Sequence, residues 1–89
     1  MGVQKSVAAD NRATKKDDMR KAYDLVMKTV KTDESPGRRF GALACLMDMY
    51  DDKDWESKRH EIMEAIADCA LHDTDPKTSA FAMRFIGEL

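Results

Sequence analysis

Apolar residues recur along this chain in blocks with helical spacing, and short polar breaks separate the blocks. Met19, Ala22, Tyr23, Val26 and Val30 step by three and four, which puts them on one face of a helix over roughly 15–32. "TDESPGRR" breaks that pattern. Ser35 is a good N-cap and Pro36 suits a first helical position, where its missing N–H costs nothing. The second helix is predicted over roughly 36–50. Phe40, Leu43, Leu46, Met47 and Tyr50 form its stripe, and Ala42, Cys45 and Met49 widen it until the helix is apolar nearly all round. Such a helix belongs at the centre of a fold. After "YDDKD" a third helix is predicted over roughly 53–71, capped by Asp52 or Asp54, with Trp55, Ile62, Met63, Ile66, Cys69 and Ala70 inward. "HDTDP" ends it. Asp75 caps a fourth helix that starts at Pro76 and carries Phe81, Ala82, Phe85, Ile86 and Leu89. Before all this, "MGVQKSVAADNRATKK" has no sustained period. It reads as a flexible basic tail over 1–14, with order beginning at a capping box from Thr14 to Asp17.

The two proline breaks lie 40 residues apart. At that offset Asp33 falls on Asp73, Ser35 on Asp75, Pro36 on Pro76, Ala42 on Ala82, Leu43 on Met83 and Leu46 on Ile86. Few pairs are identical, but the order of features repeats: helix, acidic turn, cap, proline, apolar helix. The predicted fold is therefore all-α, with four helices forming two antiparallel hairpins over about 15–50 and 53–89. A two-helix unit of about 40 residues is the period of HEAT and armadillo repeats. "ALHDTDPKTSAFAMRFIGEL" resembles the second half of a HEAT repeat: an acidic-proline turn, Ala82 at the small position, and an Ile-Gly-x-Leu ending. "TDESPGRRFGALACLMDM" is similar to it as a looser copy. The resemblance covers roughly residues 17–89 and implies a helical-repeat fold. Two units are fewer than the three a solenoid usually needs, so a compact four-helix arrangement or an oligomer is expected. Phe81, Phe85, Ile86 and Leu89 are then expected to be covered by helices 2 and 3 or by another molecule.

Composition narrows this picture. The 89 residues make one domain, which buries only about 60–65% of its unfolded surface, so the core is small. Four glycines and two prolines are too few for a turn-rich β fold. The net charge of −2 is unevenly placed. Residues 1–21 carry six bases and three acids, whereas residues 48–56 carry five acids and one base. Such asymmetry can orient a partner or a second copy. Cys45 and Cys69 fall in apolar helical patterns and are expected to be reduced, packed thiols in a cytoplasmic protein. The first 20 residues hold no signal-peptide core, and no apolar run is long enough to span a membrane.

The candidate chemistry is thin. In "HEIME", His60 and Glu64 sit one turn apart and Glu61 could act as a base, but the second histidine of a zinc helix is missing. Glu56, His60 and Glu64 instead line a solvated face. The two cysteines and two histidines lack finger spacing. "DDKDWE" lacks the central glycine of a calcium loop. No phosphate-cradling loop or nucleophile–base grouping is evident, so no enzyme activity, cofactor, metal or small-molecule substrate is expected. Two binding readings remain. The first is a helical adaptor that contacts another protein or a second copy of itself through Trp55, Tyr50, Phe81 and Phe85. Trp55, the sole tryptophan, reads either as a core anchor or as an exposed hot spot. The second is contact with nucleic-acid phosphates through Lys15, Lys16, Arg20 and Lys21 on helix 1, and through Arg38 and Arg39 on the first turn of helix 2. A basic tail before short capped hairpins resembles phage accessory proteins such as terminase small subunits. That resemblance implies a viral origin, a place in host cytoplasm and ring-like self-association.

Overall fold

The computed structural model describes the backbone of residues 2–89 and the side chains from Asp17 onward. The expectations of a tail over 1–14 and of a cap at Thr14 lie outside the residues described with side chains. The chain is all-α. Helix α1 spans Gly2–Thr32, α2 Pro36–Tyr50, α3 Arg59–His72 and α4 Pro76–Gly87, with a 3₁₀ segment at Lys53–Lys58 before α3.

Local chemistry sets the starts of α2 and α4, and it does so twice in the same way. The Ser35 hydroxyl accepts from the Arg38 N–H (3.4 Å), and the Asp75 carboxylate accepts from the Thr78 N–H (3.0 Å). Two residues earlier, Asp33 accepts from the Ser35 N–H (2.8 Å) and Asp73 from the Asp75 N–H (2.9 Å). The preceding helices end alike, with Asp33 N–H donating to the Thr29 carbonyl and Asp73 N–H to the Cys69 carbonyl, both at 3.1 Å. The backbone angles of the caps agree too, at −81°, 118° for Ser35 and −86°, 119° for Asp75. Each turn thus satisfies helix-end donors that would otherwise be orphaned. The 40-residue offset read in the sequence is a repeat of hydrogen bonds as well as of letters.

The third helix departs from expectation. Asp52 caps the segment, accepting from the Asp54 N–H (2.9 Å), but residues 53–58 form a 3₁₀ segment and not α-helix. Trp55 sits at φ −110°, ψ 15°, outside the helical region, and its ring stacks on Tyr23 at 5.3 Å between centroids. A regular helix from residue 53 would turn that ring elsewhere, so the aromatic contact wins over continuous α-helix. Arg59 then opens α3 and donates to the Tyr50 carbonyl (3.0 Å), joining the end of α2 to the start of α3.

Three-residue connections at 33–35 and 73–75 fold α1 against α2 and α3 against α4 as antiparallel pairs. The hairpins stack: α2 packs on α3 and α4, and α1 packs on α3. Among the described residues α1 and α4 do not meet. A closed four-helix ring would bring its first and last helices together, so this is an open, two-layered stack. Leu43, Leu46, Ile62 and Ile66 lie fully buried between the hairpins, joined by Tyr23, Val30 and Ala82. Each such Leu or Ile stabilises the fold by about 1.5–3 kcal/mol relative to exposure. The expectation that both thiols are packed holds only for Cys69; Cys45 is exposed. Cys45 lies two positions after Leu43 and two before Met47, so it points away from both, toward the exposed side of α2.

Candidate interaction surfaces

The four residues expected to meet a partner are all half-buried, and each belongs to a stack between elements. Phe81 of α4 stacks on Phe40 of α2 (4.7 Å), and Phe85 meets Tyr50 edge-on (5.8 Å). These contacts fasten α4 to α2. Tyr50 also lies under the Arg59 guanidinium at 5.4 Å. Trp55 packs against the core through Tyr23 while its other side borders an open cleft of about 470 Å³ between α1 and the 3₁₀ segment. The hydroxyl of Tyr23 donates to Glu61 (2.6 Å). Burial, then Glu61, raises the Tyr23 pKa well above its ordinary value; the Tyr23 hydrogen bond, then Lys58, lowers that of Glu61. Phe81, Phe85 and Ile86 are thus partly covered by their own chain, while Leu89 stays exposed.

The basic candidates divide. Arg39 is spent inside the molecule. Its Nε and Nη2 donate to the two Asp73 oxygens at 3.1 and 3.2 Å, and Nη1 donates to the carbonyls of Asp33 (2.9 Å) and Glu34 (3.2 Å). The side chains of Arg39 and Asp73 are only 12% and 3% exposed. This planar fork bridges the two repeated turns and pins hairpin to hairpin. Arg38, one residue earlier, is exposed and stands 3.8 Å from Asp33. Arg20 and Lys21 are exposed on α1. Lys15 and Lys16 lie outside the residues described with side chains. His60 Nε2 lies 2.9 Å from a Glu64 carboxylate oxygen, both side chains on the solvated face of α3. Among the described residues no three His, Cys, Asp or Glu side chains gather as a metal site would require.

A third surface lies on the second hairpin. On α4, Phe81 and Phe85 face α2, so Met83, two positions from each, points the opposite way; it is 54% exposed. On α3, Glu61, Ala65 and Asp68 border a cleft with Met27 and Lys31 of α1. Met63 and Ala67 therefore lie on the side of α3 away from α1. Together with Ser79 and Ile86, and with Ala70 buried beneath them, they make an end face of the α3–α4 hairpin, and none of these side chains is charged. Leu71, 73% exposed, stands at its rim. At the 40-residue offset these positions correspond to Tyr23, Met27, Val30, Arg39, Leu43 and Leu46 of the first hairpin. Every one of those is buried or half-buried where the second hairpin covers it. The open face is thus the structural equivalent of a covered one.

Sequence reasoning passed over this face because Met63, Ala67 and Ile86 look like ordinary inward residues. The signal was available in the offset: pairing each residue of the first hairpin with its mate shows which mates have no hairpin to cover them. No family model matches the chain, and neither curated proteins nor solved structures give a significant match. Among the described residues, no helix is long and apolar enough to cross a membrane.

Proposed function

We propose that this protein is a non-enzymatic helical interaction module that docks another protein surface on the outer face of its α3–α4 hairpin. The observation that carries this reading is the uncharged face of Met63, Ala67, Met83 and Ile86, whose equivalents in the first hairpin form the inter-hairpin core. In a chain with 36% charged residues, a helical-hairpin face without a charge is the part of the surface with most to gain from being covered. The HEAT-like sequence pattern belongs with this reading, since stacked hairpins bury such faces against neighbours. The test is affinity capture of partners with the wild-type chain and with Met83→Asp. Partners that bind the former and not the latter support the reading; identical partner sets from both would end it.

A second reading, contact with nucleic-acid phosphates, is favoured by the exposure of Arg20, Lys21 and Arg38, with Arg38 beside the N-terminus of α2. Arg39 contributes nothing direct to it while bound to Asp73. Binding to duplex DNA that is absent even at low salt would remove this reading.

A further inference from the structure

The cleft between α1 and the 3₁₀ segment, at about 470 Å³, has the size of a small-ligand pocket. Met19 and the half-buried indole of Trp55 give it an apolar lining, and Tyr23 covers one face of that indole. Aromatic rings in this part of the molecule already hold cations. Lys58 Nζ lies 5.6 Å from the centre of the Tyr23 ring, and the Arg59 guanidinium lies 5.4 Å from that of Tyr50. Such contacts arise because the face of an aromatic ring is electron-rich, and indole attracts cations most strongly of all. Among the described residues no cation lies over the Trp55 ring, whose open part borders the cleft.

The charges around the cleft select the same kind of guest. Asp24 stands on its α1 wall and Asp54 on the opposite wall, both exposed. Residues 48–56, which include Trp55, carry five acids and one base. Among the described residues neither Asp24 nor any of those five acids is ion-paired. The neighbouring cations are held elsewhere: Lys58 lies 3.7 Å from Glu61, and Arg59 donates to the Tyr50 carbonyl. Of the cations that line the cleft, only Arg20 remains to offset its acids. We infer that this cleft takes an arginine side chain from a basic segment of a partner protein. A planar guanidinium can lie on the indole and present its N–H fork to a carboxylate at once. A lysine ammonium is a more strongly hydrated point charge without that fork. An apolar guest would desolvate two carboxylates without pairing them, and an anionic guest would meet them as like charges. The cleft shares no residue with the α3–α4 end face, so this docking site stands apart from the one proposed there.

Trp55 is the sole tryptophan, so its fluorescence in the whole chain reports on this cleft directly. The probe is the peptide Arg-Gly-Arg-Gly-Arg, blocked at both ends, with lysine and citrulline versions beside it. Citrulline keeps the shape of arginine and removes its charge. The arginine peptide should give a saturable change in Trp55 emission that weakens as salt is raised. The lysine peptide should bind less tightly, and the citrulline peptide should give no saturable change. Asp24→Asn and Asp54→Asn should each weaken binding by about threefold, and together by about tenfold. Both positions are exposed, so the variants keep the fold, checked by far-UV circular dichroism. Arg20→Gln should tighten binding by about twofold, because it removes a like charge from the wall. That sign separates a cationic guest from a nucleic-acid phosphate, for which the same change would weaken binding. Absence of a saturable change at millimolar arginine peptide would overturn the inference. So would equal binding by the lysine or citrulline peptide, weaker binding in Arg20→Gln, or a single-stranded oligonucleotide that shifts Trp55 emission where the arginine peptide does not. Met83→Asp should leave the titration unchanged. If the titration fails while Met83→Asp still strips captured partners, only the arginine site falls; if it succeeds while captured partners ignore Met83→Asp, only the α3–α4 docking face does.

Discussion

Leu43 and Met83 occupy equivalent places in the two hairpins, yet one is completely buried and the other is 54% exposed. Truncating each to alanine should therefore have unequal effects in dilute solution. Leu43→Ala removes three carbons from the packed layer it shares with Leu46, Ile62 and Ile66. Leu→Ala changes in such sites cost about 3–5 kcal/mol, because the surroundings collapse only partly into the cavity. Full burial of a methionine side chain is worth about 1.5–3 kcal/mol, and Met83 has less than half of that cover, so Met83→Ala should cost about 1 kcal/mol or less. A chain of this size has roughly 5–13 kcal/mol of stability in total, so Leu43→Ala leaves a marginal protein. Urea unfolding in the cold, followed by the fluorescence of Trp55, resolves the two. With a urea dependence of about 1.5 kcal/mol per molar, the midpoint should fall by roughly 2–3 M for Leu43→Ala and by under roughly 0.7 M for Met83→Ala. Equal shifts at micromolar protein would contradict this, since they would mean that the α3–α4 face is already covered within one chain. Saturation with a partner that docks on this face should widen the Met83→Ala deficit and leave that of Leu43→Ala little changed, because only the former lies in the proposed contact.

The same geometry governs the thiols and the ionisable groups. Cys45 is exposed, whereas burial pushes the Cys69 thiol up to about 11. A thiol reagent at pH 8 should label one site at once and the second only as the protein unfolds; two fast sites would argue against the packing. Because the folded protein holds the Cys69 proton more tightly than the unfolded chain, this group's stabilisation is present below about pH 9 and is lost as pH climbs toward 11. On the acid side, the hydrogen bonds from the Thr78 hydroxyl and N–H hold Asp75 below the usual carboxylate range, and Tyr23 does the same for Glu61. Their contribution is present above the ordinary carboxylate pKa and is lost as pH falls through the depressed values. Stability should therefore decline below about pH 4, and less steeply in Asp75→Asn and Glu61→Gln, which a pH series of urea midpoints would show. Arg39→Met strands the almost buried Asp73 carboxylate, so its cost should shrink in an Asp73→Asn background. Additive effects in that double-mutant cycle would mean that the bridge does not couple the hairpins.

How far the sequence discloses this structure depends on the range of the interactions involved. Ser35–Pro36 and Asp75–Pro76 set the starts of α2 and α4 through bonds to residues three positions on, so those boundaries are legible from the letters alone. The start of α3 is not. It depends on Trp55 reaching Tyr23, 32 positions away, and no local pattern carries that contact. Cys45 illustrates a second limit. On a helix that is apolar nearly all round, periodicity cannot say which side stays exposed, and Cys45 lies on that side. The same holds for Met63, Met83 and Ile86, which share the spacing of core residues while the helix that would cover them is absent from their own hairpin pair. Arg39 reads as a phosphate contact in isolation. Only the stacking of the hairpins brings Asp73 to it.

Docking of another protein surface on the uncharged α3–α4 face is open to direct observation. Methyl-detected NMR of the methionines, as a captured partner is titrated in, is suited to it, because Met63 and Met83 lie on that face while Met47 is buried. Docking there requires the Met63 and Met83 methyl signals to shift together as the partner is added, while those of buried Met47 and of Met27 between the hairpins hold still. Met63 and Met83 signals that do not move at saturating partner, or shifts confined to the opposite side of the stack, would rule it out.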